Sequence, residues 1–357
     1  MVEPSAFAAA VNDSPTPEAP QRFAFNGTGG EYFRIWIVNL LLSIVTLGIY
    51  SAWAKVRRTR YFYGSTNVAG ASFEYHGNAV AILKGRIVAV ALIALYNVAF
   101  SISDLAGFLM VIAAMLVSPW LIWKSLQFKL FNTSYRGIRF GFRGSMKQSY
   151  IAYLLWPLVS LITLFLAAPL AHQRMKKFQH EESRFGTTHF SFHGTVGRFY
   201  LAYLLVFVIW LIGVVAISVT LGGALFATIA AETSSAGQLA ILVFVMALYL
   251  WMFLLFPIFA TLIQNLIWNN TQLGRHRFTS NMKWTRMTFI VITNIIGVIC
   301  TLGLFLPFAT IRAMKYRIES MTLIPEDSLD HFIAAEQEQV SATGEGMADL
   351  LDFDLSL

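Results

Sequence analysis

The stretch TLGIYSAWAKVRRTRYFYGSTNVAGASFEYHG, residues 46–77, decides how the chain is read, because the chain returns to it. Starting at Thr46 it carries Leu47, Ala54, Arg57, Arg60, Tyr61, Phe73, His76 and Gly77. The same intervals from Thr163 give Leu164, Ala171, Arg174, Lys177, Phe178, Phe190, His193 and Gly194. From Thr301 they give Leu302, Ala309, Arg312, Lys315 and Tyr316, and there the correspondence ends. An apolar run, a basic turn of helix and a short aromatic strand thus form one unit, used three times and the last time in part.

Around that unit the composition is far from that of a soluble domain. With 57% hydrophobic and only 13% charged residues in a chain of 357, and a positive mean hydropathy, the chain reads as an integral membrane protein. Apolar windows lie at 33–54, 87–103, 105–123, 150–171, 200–221, 239–263 and 289–311, each near the roughly 20 residues that a spanning helix needs. Only Ser103 and Asp104 part the second from the third, as in a tight helical hairpin. Residues 1–21 are rich in Pro and Ala, carry Glu3, Asp13 and Glu18, and read as a disordered leader rather than a signal peptide. Cys300, the single cysteine, can form no internal disulfide.

FAFNG (23–27), FEYHG (73–77), FGFRG (140–144) and FSFHG (190–194) alternate like half-exposed strands that end in a turn, and together invite a small sheet. RFTSN (277–281) is a worn version of the same signature. A second correspondence places Pro119, Asn132, Thr133 and Arg139 against Pro257, Asn270, Thr271 and Arg277. The organisation expected is therefore leader 1–21, membrane repeats 22–138 and 139–276, a partial repeat 277–323, and an acidic tail 324–357 read as disordered. Within that tail DLLDFDL (349–355) is the segment that could dock on a basic face.

Basic residues set orientation, since Lys and Arg beside spans stay cytoplasmic. Seven crossings would divide them between both faces. If the runs at 33–54, 150–171 and 289–311 enter and leave by one face, all 26 lie on the cytoplasmic side. TLG (46–48 and 301–303) and TLF (163–165) supply the place to turn, and the cost is that backbone groups freed at such a tip must be covered. The expected fold is an all-α polytopic membrane protein with short β-strands, built of internal repeats. Four spans plus three re-entrant hairpins are favoured, with seven spans as the alternative.

Three cation pairs, Arg57 with Arg60, Arg174 with Lys177 and Arg312 with Lys315, sit one helical turn apart, flanked by Tyr61, Phe178 and Tyr316. Such pairs can hold an anionic headgroup or phosphate at a membrane surface; they can equally fix topology and snorkel to the interface. His76 and His193 share a strand position, with His189 four residues before the latter, but no acidic or Cys ligand repeats with them, so no metal is expected. Asn39 and Asn294 match within two apolar runs, where a buried amide joins helices or lines a polar cavity. No GxSxG, P-loop, HExxH or acidic metal cluster is present, so neither catalysis nor a cofactor is expected. Apolar runs free of internal Asp or Glu argue against a proton-coupled carrier.

FxFxG ahead of an apolar run, TLGIYSAWAKVRRTRYF (46–62) after it, and NTSYRGIRFGFRG (132–144) between units resemble the YjgN-like family of bacterial inner-membrane proteins over roughly 22–320. The resemblance implies a multi-pass protein of the bacterial cytoplasmic membrane and assigns no reaction or ligand. The second unit departs from the pattern at TLFLAAPLAHQRM (163–175). The functional expectation is a protein that binds or moves an anionic lipid or phosphorylated solute at a cytoplasmic basic and aromatic face. A structural or assembly partner in the envelope is the alternative, and a transporter not coupled to protons is third. Membrane lipids, and in the alternative an envelope protein, are the expected partners; nucleic acid is not.

Overall fold

The structure, a computed structural model, describes residues 19–230 and 234–343. Most of the leader (1–18) and the DLLDFDL segment lie outside the described residues.

Eleven strands make one antiparallel sheet. In chain order they are β1 Gln21–Arg22, β2 Ala24–Phe25, β3 Thr66–Val68, β4 Ala71–Tyr75, β5 Thr133–Tyr135, β6 Ile138–Phe142, β7 Ser183–Phe185, β8 Thr188–Phe192, β9 Thr271–Leu273, β10 His276–Ser280 and β11 Met321–Ile324. Their order across the sheet is β1-β11-β10-β9-β8-β7-β6-β5-β4-β3-β2. The two ends of that order are parted in the chain only by Phe23, whose backbone N–H donates to the Met321 carbonyl at 3.1 Å. The sheet therefore curls into a near-closed barrel, with no long edge left open. This corrects the expectation of an all-α protein with short accessory strands. The strands are short, but each of β3 to β11 has a partner on both sides, several of them far away in the chain, as in Gln21 opposite Leu323.

Helical hairpins connect neighbouring strands at one rim. Helices α1 Gly29–Val45 and α2 Ser51–Gly64 lie between β2 and β3, and α3 Ala79–Ile102 and α4 Asp104–Phe131 between β4 and β5. Between β6 and β7, α5 Met146–Tyr150 runs through a π-helical turn, Ile151–Leu155, into α6 Trp156–Ile162 and then α7 Ala168–Glu181. Helices α8 Val196–Ala230 and α9 Ser234–Trp268 join β8 to β9, and α10 Trp284–Cys300 and α11 Leu306–Glu319 join β10 to β11. Each flanking pair of strands is hydrogen-bonded together, so every hairpin returns beside its starting point. Tight turns occupy the opposite rim. Ala69-Gly70 and Arg136-Gly137 have positive φ at both positions, the primed geometry that suits a twisted hairpin.

The aromatic signature explains how strand passes to helix. After FxFxG stands a capping residue: Thr28 accepts from the Glu31 N–H, Asn78 from Val80, and Ser145 forms a reciprocal box with Gln148. The glycine is needed because the second aromatic folds over it. A Cβ on Gly77 would collide with the Tyr75 ring and hydroxyl, and one on Gly194 with the Phe192 ring.

Among the described residues, helices α3, α4, α8 and α9 are the four long and apolar enough to cross a membrane. At about 1.5 Å per residue, the 24 residues of α3 reach about 36 Å and the 17 of α1 only about 25 Å. The shorter hairpins turn at apolar tips, with Leu47 95%, Leu164 84% and Leu302 95% exposed. Leu47, Leu164 and Leu302 all have φ of 50°. Cover for the freed backbone comes from the tips' own threonines rather than from neighbouring spans. Thr46 Oγ1 donates to the Leu42 carbonyl at 2.7 Å and accepts from the Tyr50 N–H at 2.9 Å. Thr163 does the same between Val159 and Ala167, and Thr301 between Gly297 and Phe305.

One further expectation changes. Part of the segment 324–357, read as a disordered tail, is helical: α12, Leu329–Thr343, packs on the barrel that β11 completes. Leu329, Phe332 and Ile333 fall at i, i+3 and i+4, an amphipathic pattern hidden by the acidic composition around it.

Candidate functional site

The first phenylalanine of each signature points into the barrel. Phe73, Phe140, Phe190 and Phe278 come from the alternate strands β4, β6, β8 and β10, and with Phe23, between β1 and β2, they form a rung across the lumen. Ring centroids are 6.2 Å apart for Phe73 and Phe140, 6.4 Å for Phe140 and Phe190, 6.2 Å for Phe190 and Phe278, and 6.5 Å for Phe278 and Phe23. The second aromatic lies nearer the helical rim and packs on a helix end: Phe25 on Phe62, Tyr75 on Tyr63, Phe142 on Phe178, Phe192 on the imidazole of His180. Burial, with Lys176 nearby, holds the pKa of His180 down at about 4.

The first phenylalanines line a cavity of about 350 Å³. Its walls include the five phenylalanines with Val68, Tyr135, Phe185, Leu273 and Leu323. Phe62 and Tyr63 of α2 and Met314 and Ile318 of α11 line it at the helical rim. Leu329, Phe332 and Ile333 of α12 line it at the other end. Phe332 lies 4.6 Å from the His276 ring and 6.2 Å from Phe185. Polar side chains latch the helix. Glu336, 4% exposed, accepts from the Thr187 N–H at 2.7 Å and hydroxyl at 3.0 Å, and from the Thr188 hydroxyl. The Asp330 carboxylate accepts from Arg136 at 2.5 Å.

The cation pairs stand apart on α2, α7 and α11, and each bonds within its own hairpin or the adjoining strand. Arg57 donates to the Tyr50 hydroxyl at 3.0 Å and Arg60 to the Tyr75 carbonyl at 3.2 Å. Arg174 lies over the Trp156 ring at 5.6 Å, while Lys177 pairs with Glu181 at 3.7 Å. Arg312 donates to Asn294 at 2.8 Å and to Thr293 at 3.1 Å, and Lys315 pairs with Glu319 at 3.8 Å. Of the six, Arg174 and Lys177 share a surface depression of about 170 Å³, beside Glu181 and Glu182. The flanking aromatics work as packing. Tyr61 Oη accepts from the Thr28 N–H and Tyr316 Oη from the Lys283 N–H, tying each helix start to the end of its partner, and Phe178 is buried against Phe142 and Tyr153.

Asn294 also donates to the Ala309 carbonyl at 2.9 Å and so joins α10 to α11. Asn39 is buried with its side-chain oxygen unbonded. His76 and His193 hydrogen-bond Ser134 and Ser191.

The lumen was not read from the sequence, although its signal was there in the repeated first phenylalanine. Which face of a strand becomes an interior is set by closure, a pairing of residues 300 apart that no local pattern carries.

Comparison with known proteins agrees with the membrane-anchored architecture. The family described as bacterial protein of unknown function DUF898 matches residues 20–350. The chain belongs to this family. DUF898 relatives named inner membrane protein YjgN include that of Salmonella typhimurium, 31% identical over 146 residues, which are 40% of this chain and 36% of the relative. Those of Escherichia coli O157:H7 and strain K12 are 29% and 30% identical over 172 and 158 residues, 45% and 43% of this chain and 42% and 38% of theirs. The aligned segment is thus less than half the length of each of these relatives. No solved structure matches. With these relatives and its four apolar helices, this DUF898 chain is an inner-membrane protein.

Proposed function

We propose that this protein is a non-catalytic, multi-pass membrane component whose barrel lies in the cytoplasm against the bilayer and binds anionic lipid headgroups at its basic rim. The observation that carries the reading is the common rim from which all five hairpins leave, which gives each an even number of passages and keeps every strand on one side. The far connection of α3 and α4, at Ser103, and residues 231–233 carry no Lys or Arg, whereas the barrel side is basic, the asymmetry expected of a cytoplasmic face.

Arg57, Arg60 and Arg174 are exposed near this rim without an acidic partner in their bonds described above, and suit a headgroup better than Arg312, which is committed to Asn294. Each such cation is worth about 1 kcal/mol at an anionic surface. The test is flotation with vesicles of phosphatidylglycerol or of phosphatidylcholine alone. Charge reversal at Arg57, Arg60 and Arg174 together abolishes the preference for the anionic vesicles while leaving the thermal transition in place. An unchanged preference in the folded variant rejects the reading and leaves the six cations to topology. The pairing of Lys177 and Lys315 with glutamates favours that second role for those two positions.

A further inference from the structure

We propose that the barrel lumen is a binding site for a single aliphatic chain, with the chain's polar end left outside the helical rim. This rests on the lumen alone and stands whether or not the rim cations recognise headgroups.

A void of about 350 Å³ is far larger than the gaps of a packed interior. It is also more than twice the size of the roughly 150 Å³ engineered apolar cavity that stays dry and takes up benzene. Its volume falls in the range of small-molecule sites, roughly 300–1,000 Å³. Among the described residues the lining contains no Lys, Arg, Asp or Glu. Several polar groups it does contain are already bonded. The Tyr135 hydroxyl donates to the Val68 carbonyl at 2.7 Å and the Thr66 hydroxyl to the Phe62 carbonyl at 2.8 Å, while His276 accepts from the Glu326 N–H at 3.4 Å. Water entering the lumen would find few of the polar partners it needs. A carboxylate or phosphate would lose its hydration with no charge to replace it. Hydrocarbon meets neither cost.

Direction follows from the two ends. The α12 end is held by Glu336 and Asp330 through hydrogen bonds to Thr187, Thr188 and Arg136. At the other end Phe62, Tyr63, Met314 and Ile318 belong to the ends of α2 and α11 where these return from the apolar hairpin tips. Methionine there gives an adaptable wall. A chain therefore enters from the side of the bilayer, and its polar end stays near α2 and α11. The source of the chain, a free fatty acid or the tail of a membrane lipid, is what the experiment separates.

The full-length protein in lipid vesicles is photolabelled with palmitic acid bearing a diazirine near its methyl end, and separately with a phosphatidylglycerol carrying the same acyl chain; labelled peptides are mapped by mass spectrometry. Crosslinks to strands β6, β8 or β10, at Phe140, Phe190 or Phe278, are expected from one probe or both. Label from the fatty acid alone identifies a free acid, and label from the phospholipid identifies an inserted lipid tail. Label confined to the helical hairpins with both probes overturns the proposal. Leu273→Trp and, separately, Leu323→Trp fill the lumen and are expected to lower the strand labelling at least tenfold while leaving labelling of α3 and α8 unchanged. Undiminished strand labelling in either variant, with its thermal transition retained, also overturns it.

Discussion

Replacing Glu336 by alanine releases α12 from the barrel. The carboxylate is 4% exposed and accepts from the Thr187 N–H, the Thr187 hydroxyl and the Thr188 hydroxyl. Hydrogen bonds to a charged group contribute about 1.5–3 kcal/mol each, and they are not additive. The two hydroxyls can turn towards water once the carboxylate is gone, but the Thr187 N–H cannot. The close approach of Glu336 Oε2 to Gly186, where a Cβ would meet it, shows that the carboxylate fills the turn and that its removal leaves a gap. The docking of α12 should weaken by about 2–4 kcal/mol, roughly 30- to 1,000-fold in the ratio of docked to released helix. Hydrogen exchange reads this directly. Amides of 329–343 should lose protection by about that factor, while those of α3 and α8, which make no contact with α12, change much less. Equal protection of α12 in Glu336→Ala and the parent would show that Leu329, Phe332 and Ile333 alone seat the helix, and the latch argument would fail.

Phe278 is 8% exposed and touches Phe23, Phe190 and Trp268, so Phe278→Ala should cost about 3–5 kcal/mol and lower the melting temperature, while conservative Phe278→Leu costs much less. Thr46→Val and Thr301→Val keep the shape but leave the Tyr50 and Phe305 N–H groups unbonded, while the Leu42 and Gly297 carbonyls keep the backbone N–H of residues 46 and 301. Each should cost about 1–3 kcal/mol by chemical denaturation in lipid, and Thr→Ser should recover most of it. His180 has a folded-state pKa of about 4 against an ordinary 6.5. Between those values the unfolded chain binds the extra proton, so stability is lost as pH falls through that window, by an amount on the order of 1–3 kcal/mol. His180→Gln should flatten the fall in melting temperature over the same range, and an unchanged slope would place the acid sensitivity elsewhere.

Much of the architecture was legible because it is local. The aromatic-x-aromatic-x-Gly signature announced alternate strands, Thr-Leu-Gly and Thr-Leu-Phe the apolar tips, and four of the seven apolar windows fall in the long helices. The missed barrel has a physical origin in long-range pairing. Whether 21–25 lies at an edge or joins two neighbours depends on β11, and the pairing of Arg22 with Thr322 leaves no trace in either segment. The lumen inherits that problem, since Phe73 or Phe190 reads equally well as one half of a flat sheet. Acidic residues misled the reading of 329–343, where Asp330 and Glu336 serve as the polar attachments of a helix whose apolar side is only three residues wide. Where the cation pairs come to lie was not legible either: they are equally spaced along the chain, and α2, α7 and α11 leave the sheet at different strands.

Closure of the barrel between its first and last strands orders events during synthesis. Gln21 and Arg22 are made about 300 residues before their partners Leu323 and Thr322. The strands between them pair with neighbours close in the chain, and only this closure waits for a distant segment. The growing sheet has an unsatisfied edge throughout, and the amino-terminal segment must keep its place until the final strand arrives to meet it. A nascent chain halted before residue 321 is an open ribbon, and it is the form most exposed to the wrong neighbour.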